Sequence, residues 1–175
     1  MLYASSTQIN AAVPYQLFGR AFTQMTVEYN GVSSTALAPR VADTAPGIFT
    51  IDGTRAAALN QDGTINGPGN AAQAGTVVVL YTTGEGQTSP GGIDGELVPA
   101  NNLKKPLAAV RVLVNGTDIP AANIFYAGSA PGLVAGLMQI NFRLPVNVPA
   151  NLATPVEVFV GSGQSPAGTT IAVRP

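Results

Sequence analysis

The chain contains no histidine and no cysteine among its 175 residues. Without an imidazole there is no Ser-His-Asp or Cys-His catalytic machinery and no nitrogen ligand of the kind zinc prefers. Without a thiol there are no disulfides and no thiolate metal sites, a condition that exported bacterial modules tolerate. An enzyme built on this sequence would depend on carboxylates, lysine or tyrosine. We expect no metal and no cofactor.

Charge is also scarce. Charged residues make up 10% of the chain and the net charge is -1, against a usual charged share of about 25%. The few lysines and arginines form no basic stripe, which argues against nucleic acid as a partner. The apolar runs, the longest near residues 77–81, are too short to span a bilayer, so no membrane insertion is expected. No signal peptide opens the sequence, and we expect an export signal upstream in a parent protein.

Helices are expected to be few, because fourteen prolines and twenty glycines divide the chain into short pieces without a sustained helical period. Alternating β-branched and aromatic runs indicate half-buried strands, and Asn30-Gly31, Asp62-Gly63 and Asn115-Gly116 are typical of tight turns. The fold class is therefore predicted to be all-β. Strands are predicted at residues 8–13, 24–29, 36–41, 56–59, 76–82, 108–114, 124–127, 137–144, 156–160 and 169–173.

One motif occurs twice, as "TQINAAVP" from Thr7 and as "MQINFRLP" from Met138. The recurring residues are Gln8, Ile9, Asn10 and Pro14 in the first copy and Gln139, Ile140, Asn141 and Pro145 in the second. "LYASS" precedes the first copy as "FYAGS" precedes the second, and "TVEYNGVSS" from Thr26 answers "PVEVFVGSG" from Pro155. This self-similarity indicates a tandem repeat of one sandwich unit whose first copy is truncated at its N-terminal side.

The repeat divides the chain into three parts. Residues 1–52 would be the C-terminal half of a first module, residues 53–74 a connection with the first strand of the second, and residues 75–175 the complete second module. A halved sandwich leaves unpaired edges and an uncovered apolar face. Either the half packs closely on the second module or another chain supplies strands, so a homodimer through exposed edges is one expectation.

Alternation along the repeated motif predicts which side chains face the core. In the second copy Ile140, Phe142 and Leu144 share one face, and in the first copy Ile9, Ala11 and Val13 are expected to point inward in the same way. The glutamine and asparagine of each motif lie on the opposite face. We expect these amides to bond loop backbone and hold a crossover in place.

Several segments together resemble one known family, the uncharacterised C-terminal domain first catalogued in Solibacter proteins. They are "YASSTQINAAVPY", "APGIFT", "AALNQDGTINGPGNAAQAGTVVVLYTTGEG", "VRVLVNGTDIPAANIFYAGSAPG" and "LMQINFRLPVNVP". The resemblance covers nearly the whole chain and keeps the family's motif order. It implies an immunoglobulin-like β-sandwich in an exported acidobacterial protein, and it implies no activity that could be assigned to particular residues. The family usually has further strands ahead of "LYASSTQIN".

Few residues suggest chemistry. Asp94 and Glu96 are carboxylates close in sequence, as in glycosidases, although a glycine-rich loop would hold them loosely. Tyr81 and Tyr126 could contribute to a sugar-stacking surface or to packing. Lys104 and Lys105, the only lysines, are expected in an exposed loop; a base or an isopeptide crosslink to Asn or Asp would require burial beside an acid. The stretch from Asn60 to Gly63 is read as a turn in preference to a Ca²⁺ loop.

These features favour a non-catalytic structural or adhesive module, extracellular or on the cell surface, with a protein or polysaccharide partner there. One alternative is a carbohydrate-binding module attached to a secreted hydrolase. A second alternative is a small histidine-independent esterase or lactone hydrolase.

Overall fold

The computed structural model describes residues 2–175 and is all-β, as predicted. Four short strands lie near the N-terminus: β1 Tyr3–Ala4, β2 Ile9–Asn10, β3 Glu28–Tyr29 and β4 Val32–Ser33. Thirteen more follow: β5 Gly47–Ile48, β6 Ala58–Asn60, β7 Ala72–Gln73, β8 Val77–Thr83, β9 Thr88–Ser89, β10 Lys105–Pro106, β11 Val110–Val114, β12 Thr117–Asp118, β13 Ile124–Ser129, β14 Met138–Arg143, β15 Asn151–Val160, β16 Gly163–Gln164 and β17 Thr170–Arg174. Helical structure in the described part of the chain consists of two short 3-10 turns, Tyr15–Leu17 and Ala121–Asn123, and no helix there is long and apolar enough to cross a membrane.

Two main sheets share one core, the arrangement of a β-sandwich. The first sheet has the order β12-β11-β15-β17-β7, with β16 also paired to β15. The second has the order β13-β14-β8-β5, with β6 also paired to β8. All pairs are antiparallel except β17 with β7. Strands from before and after residue 52 therefore belong to the same sheet, since β5 and β6 both pair with β8.

The core lies between these sheets and follows the predicted alternation. Ile140, Phe142 and Leu144 are all buried, which confirms the inward face of the second motif. They meet side chains from the opposite sheet, among them Val112 and Val158, within a single apolar cluster. A period of two exposes one face of each strand and buries the other, so the sequence alone could assign these positions.

Residues 2–41 form smaller, open structures beside the sandwich. Among the described residues, strand β1 pairs only with β2, and residues 21–41 form a two-stranded ribbon that turns at Asn30-Gly31. Ile9, Ala11 and Val13 were expected to point into a core, and all three are exposed in the structure. The reason is that no strand within residues 2–175 covers them, so the alternation is present without the burial that it predicts.

The turn predictions are confirmed at two positions. Asn30 and Asn115 have positive φ values of 51° and 50°, and each is followed by a glycine that also has positive φ. Positive φ at both central residues is the backbone conformation of a two-residue hairpin turn, and asparagine followed by glycine adopts it with little steric strain. At both positions the flanking residues pair directly, Tyr29 with Val32 and Val114 with Thr117.

Candidate functional site

The main cluster of buried charge lies around Lys104, just before β10. Its backbone N–H donates to Ser129 Oγ at 2.8 Å, and its carbonyl accepts the Ser129 N–H at 2.8 Å. This pinning to the end of β13 buries the Lys104 side chain, which forms an ion pair with the Glu96 carboxylate. The expectation of an exposed loop lysine was wrong for Lys104; Lys105 is exposed as expected, but it lies in strand β10. The acid that Lys104 Nζ contacts is a glutamate, so the contact is an ion pair and not the Asn or Asp pairing considered for a crosslink.

Glu85, a buried acid, lies in the same region shortly after β8. Its Oε1 accepts a hydrogen bond from the Tyr15 hydroxyl at 2.7 Å, and its Oε2 has no hydrogen-bond partner within residues 2–175. Burial raises the pKa of Glu85, and the Tyr15 hydrogen bond, the nearby backbone N–H of Gly136 and the Lys104 charge offset this only in part. Burial and the neighbouring Glu85 likewise raise the pKa of Tyr15. The Tyr15 phenol therefore stays neutral, and the Glu85 carboxyl loses its proton at a higher pH than an exposed glutamate does.

Tyr15 connects the N-terminal residues to the sandwich. Its backbone N–H donates to Asp94 Oδ1 at 2.8 Å, and its carbonyl accepts from Gln87 Nε2 at 2.9 Å. Its ring lies so close to Gly92 that a Cβ atom there would overlap it. Four residues on the two sides of β9 therefore hold a single tyrosine, and we call this set the Tyr15 latch: Tyr15, Glu85, Gln87, Gly92 and Asp94.

Alanine at Gly92 is expected to open the latch. The added methyl group would displace the Tyr15 ring and break its bond to Glu85, so hydrogen exchange at the amides of residues 15–18 should accelerate at least about tenfold. Gly91→Ala is the matched control, because a Cβ atom there meets nothing within 4 Å. Equal exchange in the two variants would show that the ring contact does not hold the N-terminal residues.

Glu85 should also make stability depend on pH. A carboxyl whose pKa is raised on folding binds more protons in the folded state, so stability falls as the pH rises from the unfolded value, ordinarily 4.5, through the folded value. Glu85→Gln keeps an acceptor for Tyr15 and removes this titration. In urea unfolding we expect the variant to gain stability relative to the parent protein as the pH is raised above about 4.5. Glu28→Gln, on an exposed strand, is the control, and a parallel gain there would contradict the assignment.

The other predicted ligand-binding residues are engaged within the protein. Glu96 pairs with Lys104, and Asp94 bonds the Tyr15 backbone, so the structure does not bring the two acids together as a catalytic pair. The Tyr126 hydroxyl donates to the Ser129 carbonyl at 2.6 Å, as expected for a packing role. Tyr81 lies half-buried in β8, opposite Gln139.

Two surface clefts, of about 520 and 390 Å³, lie elsewhere. The larger is formed by the N-terminal part of the chain around residues 14–24, and the smaller lies between the start of β11 and the residues around Ile124. Neither is lined by Asp94, Glu96, Tyr81 or Tyr126.

The stretch from Asn60 to Gly63 is a turn whose polar groups bond one another. Asp62 Oδ1 accepts from the Thr64 N–H at 3.0 Å and from its hydroxyl at 2.6 Å. Beyond the turn, the buried Asn66 side chain donates to Asn60 Oδ1 and bonds both backbone groups of Ala172. This satisfied network attaches the loop to β17 and leaves these oxygens engaged within the protein.

The two copies of the motif form the same local hydrogen bonds. Gln8 Nε2 donates to Asn10 Oδ1 at 2.7 Å, and Gln139 Nε2 donates to Asn141 Oδ1 at 2.8 Å. The expectation that these amides bond loop backbone was wrong, because each glutamine bonds the asparagine two residues later. Neighbouring strands match as well: Tyr3 pairs with Asn10 as Tyr126 pairs with Asn141.

The correspondence continues into the hairpins that follow. The Val27 N–H donates to Ser34 Oγ at 3.0 Å, and the Val158 N–H donates to Ser165 Oγ at 3.0 Å. The donors of corresponding bonds lie 131 positions apart: Gln139 lies 131 positions after Gln8, and Val158 lies 131 positions after Val27. Matching the letters "VE" in the two segments had aligned Val27 with Val156, two residues away. A shift of two keeps a strand residue on the same face, so the pattern could not reveal this error.

Sequence reasoning did not single out Glu85 or Asn66. Both are polar residues in loops rich in glycine or asparagine, and such residues are usually solvated. A signal was nevertheless present for the Glu85 loop, where Gly84 and Gly86 flank the acid and both have positive φ. Close backbone approach to residues 43–46 requires these glycines, and it helps to enclose Glu85.

Comparison with known proteins adds no relative to this description. No known protein family, curated protein or solved structure matches the chain.

Proposed function

We propose that the chain is a non-catalytic structural module of an exported or cell-surface bacterial protein, built from a tandem immunoglobulin-like unit that serves as a spacer or adhesive segment. The observation that carries this proposal is the set of matched hydrogen bonds 131 positions apart. Repeated units joined in series are a common way of making an extended scaffold. The low charge and the resemblance to the Solibacter-type domain support the exported setting.

The Tyr15 latch would serve such a scaffold as a joint between successive units. It uses backbone and side-chain atoms of Tyr15 at once, through contacts to Asp94, Gln87 and Glu85. Three directed contacts fix the orientation of a short segment better than one, because each restricts a different rotation. A joint of this kind would transmit orientation from the first half-unit to the sandwich.

A distance measurement between two spin labels tests this role. The chain has no cysteine, so Thr35→Cys and Thr117→Cys introduce two unique labelling positions, one exposed in the N-terminal ribbon and one exposed in β12. We expect a single narrow distance distribution that broadens when Gly92→Ala is added and stays narrow with Gly91→Ala. A broad distribution in the unaltered background would contradict the spacer proposal.

The same proposal expects no hydrolytic turnover, because the Lys104 ammonium is buried and paired with Glu96. Activated esters and lactones should be hydrolysed at the rate of the buffer alone. A higher rate that falls in Lys104→Met and persists in Lys105→Met would favour the hydrolase alternative instead.

A further inference from the structure

The N-terminal residues carry the apolar positions of a core without the strands that would enclose it. Ile9 is 47% exposed, whereas Ile140, its counterpart 131 positions later, is 0% exposed. Val27 is 44% exposed, and its counterpart Val158 is 0% exposed. Tyr29 at 75% and Val160 at 0% form a third such pair. The local bonding is the same in both places, so the difference lies in what covers each strand.

The second half of the chain shows which strands pair beside these residues and, from the facing sheet, bury them. Strand β14, which carries Ile140, pairs with β8, where Ile140 lies opposite Leu80. Strand β15, which carries Val158, pairs with β11, where Val158 lies opposite Val112. Both covering strands come from the segment of residues 42–124. Within residues 2–175, β2 pairs only with β1 and β3 pairs only with β4, so nothing occupies the corresponding places in the first half.

A second copy of this chain cannot readily supply them. Its β8 is already paired on one side with β14 and on the other with β5 and β6. Its β11 is paired on both sides, with β12 and β15. We call the part of a unit that corresponds to residues 42–124 its front segment. A front segment can dock on residues 2–41 only if its strands are not already paired with the strands that follow it in its own unit.

We propose that residues 2–41 are the docking surface for the front segment of a like unit, a segment that presents strands of the β8 and β11 type. In the second half, Phe125, the counterpart of Leu2, continues without a break from the front segment through β13, so a front segment placed ahead of Leu2 reproduces that arrangement. This inference rests on the proposed function, since it assumes that the matched halves belong to one repeated unit.

The docking contacts would be of two kinds. Backbone groups on the free side of β2 and β3 would accept new strands, because an unpaired strand edge is a template for another. The apolar side chains above them would supply the packing that distinguishes this partner from a polar strand. The docked segment should therefore alternate between inward and outward side chains and be apolar on its inward face, as β8 and β11 are. In β8, for example, every second residue of positions 77–83 is buried.

An extended chain tests the proposal. In it, residues 42–124 are placed a second time, directly ahead of Leu2, and amide hydrogen exchange is measured at residues 9–11 and 25–29. We expect exchange at these amides to slow at least about tenfold relative to the parent chain, with amides of β14 and β15 unchanged as internal references. The matched control carries Leu80→Asp and Val112→Asp in the added segment only, and it should give no slowing.

Three results would overturn the proposal. The first is unchanged exchange at residues 9–11 and 25–29 in an extended chain whose β14 and β15 amides remain protected. The second is equal slowing by the aspartate-bearing segment. The third is slowing in the parent chain itself that increases with protein concentration, because copies of the chain would then cover one another. If any of these results is found while the spin-label distance distribution stays narrow, the docking proposal is wrong and the spacer proposal still stands.

Discussion

Replacing Lys104 by methionine is expected to lower the free energy of unfolding by about 3 kcal/mol. Methionine keeps most of the buried hydrocarbon stem but removes the ammonium, which leaves the Glu96 carboxylate without its partner. The Glu96 side chain retains 20% of its accessible surface, so it can be partly hydrated and the loss should fall at the lower end for a broken buried ion pair. Urea unfolding at neutral pH measures the difference.

The adjacent lysine provides the control. Lys105 is exposed, and Lys105→Met should change the free energy of unfolding by less than about 0.5 kcal/mol. Adding Glu96→Leu to Lys104→Met should restore much of the loss, because replacing both members of a buried ion pair by apolar groups is often close to neutral. Equal losses in the two single lysine variants would show that Lys104 is not held as described.

Ile140→Ala should cost about 3 to 4 kcal/mol, whereas Ile9→Ala should cost less than about 1 kcal/mol. The two residues occupy matched positions in the same motif, but Ile140 lies in the core and Ile9 is about half exposed. Truncating Ile140 removes buried contacts and leaves a cavity. Truncating Ile9 removes a side chain that is already about half in water, so few buried contacts are lost and no cavity forms. Chemical denaturation of the two variants, measured side by side, compares one substitution in two surroundings.

The docking proposal extends this comparison. In the extended chain, Ile9→Ala should become costly, because the residue would then be covered as Ile140 is. Similar small costs in the parent and extended chains would count against coverage of Ile9. Similar large costs for Ile9 and Ile140 in the parent chain would contradict the exposure of the N-terminal half.

Local sequence was sufficient for most of the strand pattern. Nine of the ten predicted strands overlap a strand longer than an isolated bridge, and the tenth, residues 36–41, contains the bridged residues Leu37 and Arg40. The prediction missed short strands such as β7 and β10, whose two residues carry no alternation. A pair of residues forms such a strand only because a distant segment lies beside it.

The site was less predictable than the strands. Lys104 stands in an ordinary polar loop context, and only the return of β13 beside it buries the side chain against Glu96. Tyr15 and Glu85, 70 positions apart, likewise carry no mutual signal in the sequence. Burial and hydrogen-bond partners depend on residues far apart along the chain, and a single sequence does not state which of them meet.

By itself, the sequence determined the all-β class, the tight turns at Asn30-Gly31 and Asn115-Gly116, and the recurrence of one motif, because alternation and turn chemistry act over a few neighbouring residues. The tertiary structure decided that Ile140 is enclosed and Ile9 is not, since enclosure requires β8, about 60 positions earlier, to pair beside β14 and the opposite sheet to pack over its inward face. Identical local bonding thus gives a core in one half of the molecule and an open surface in the other.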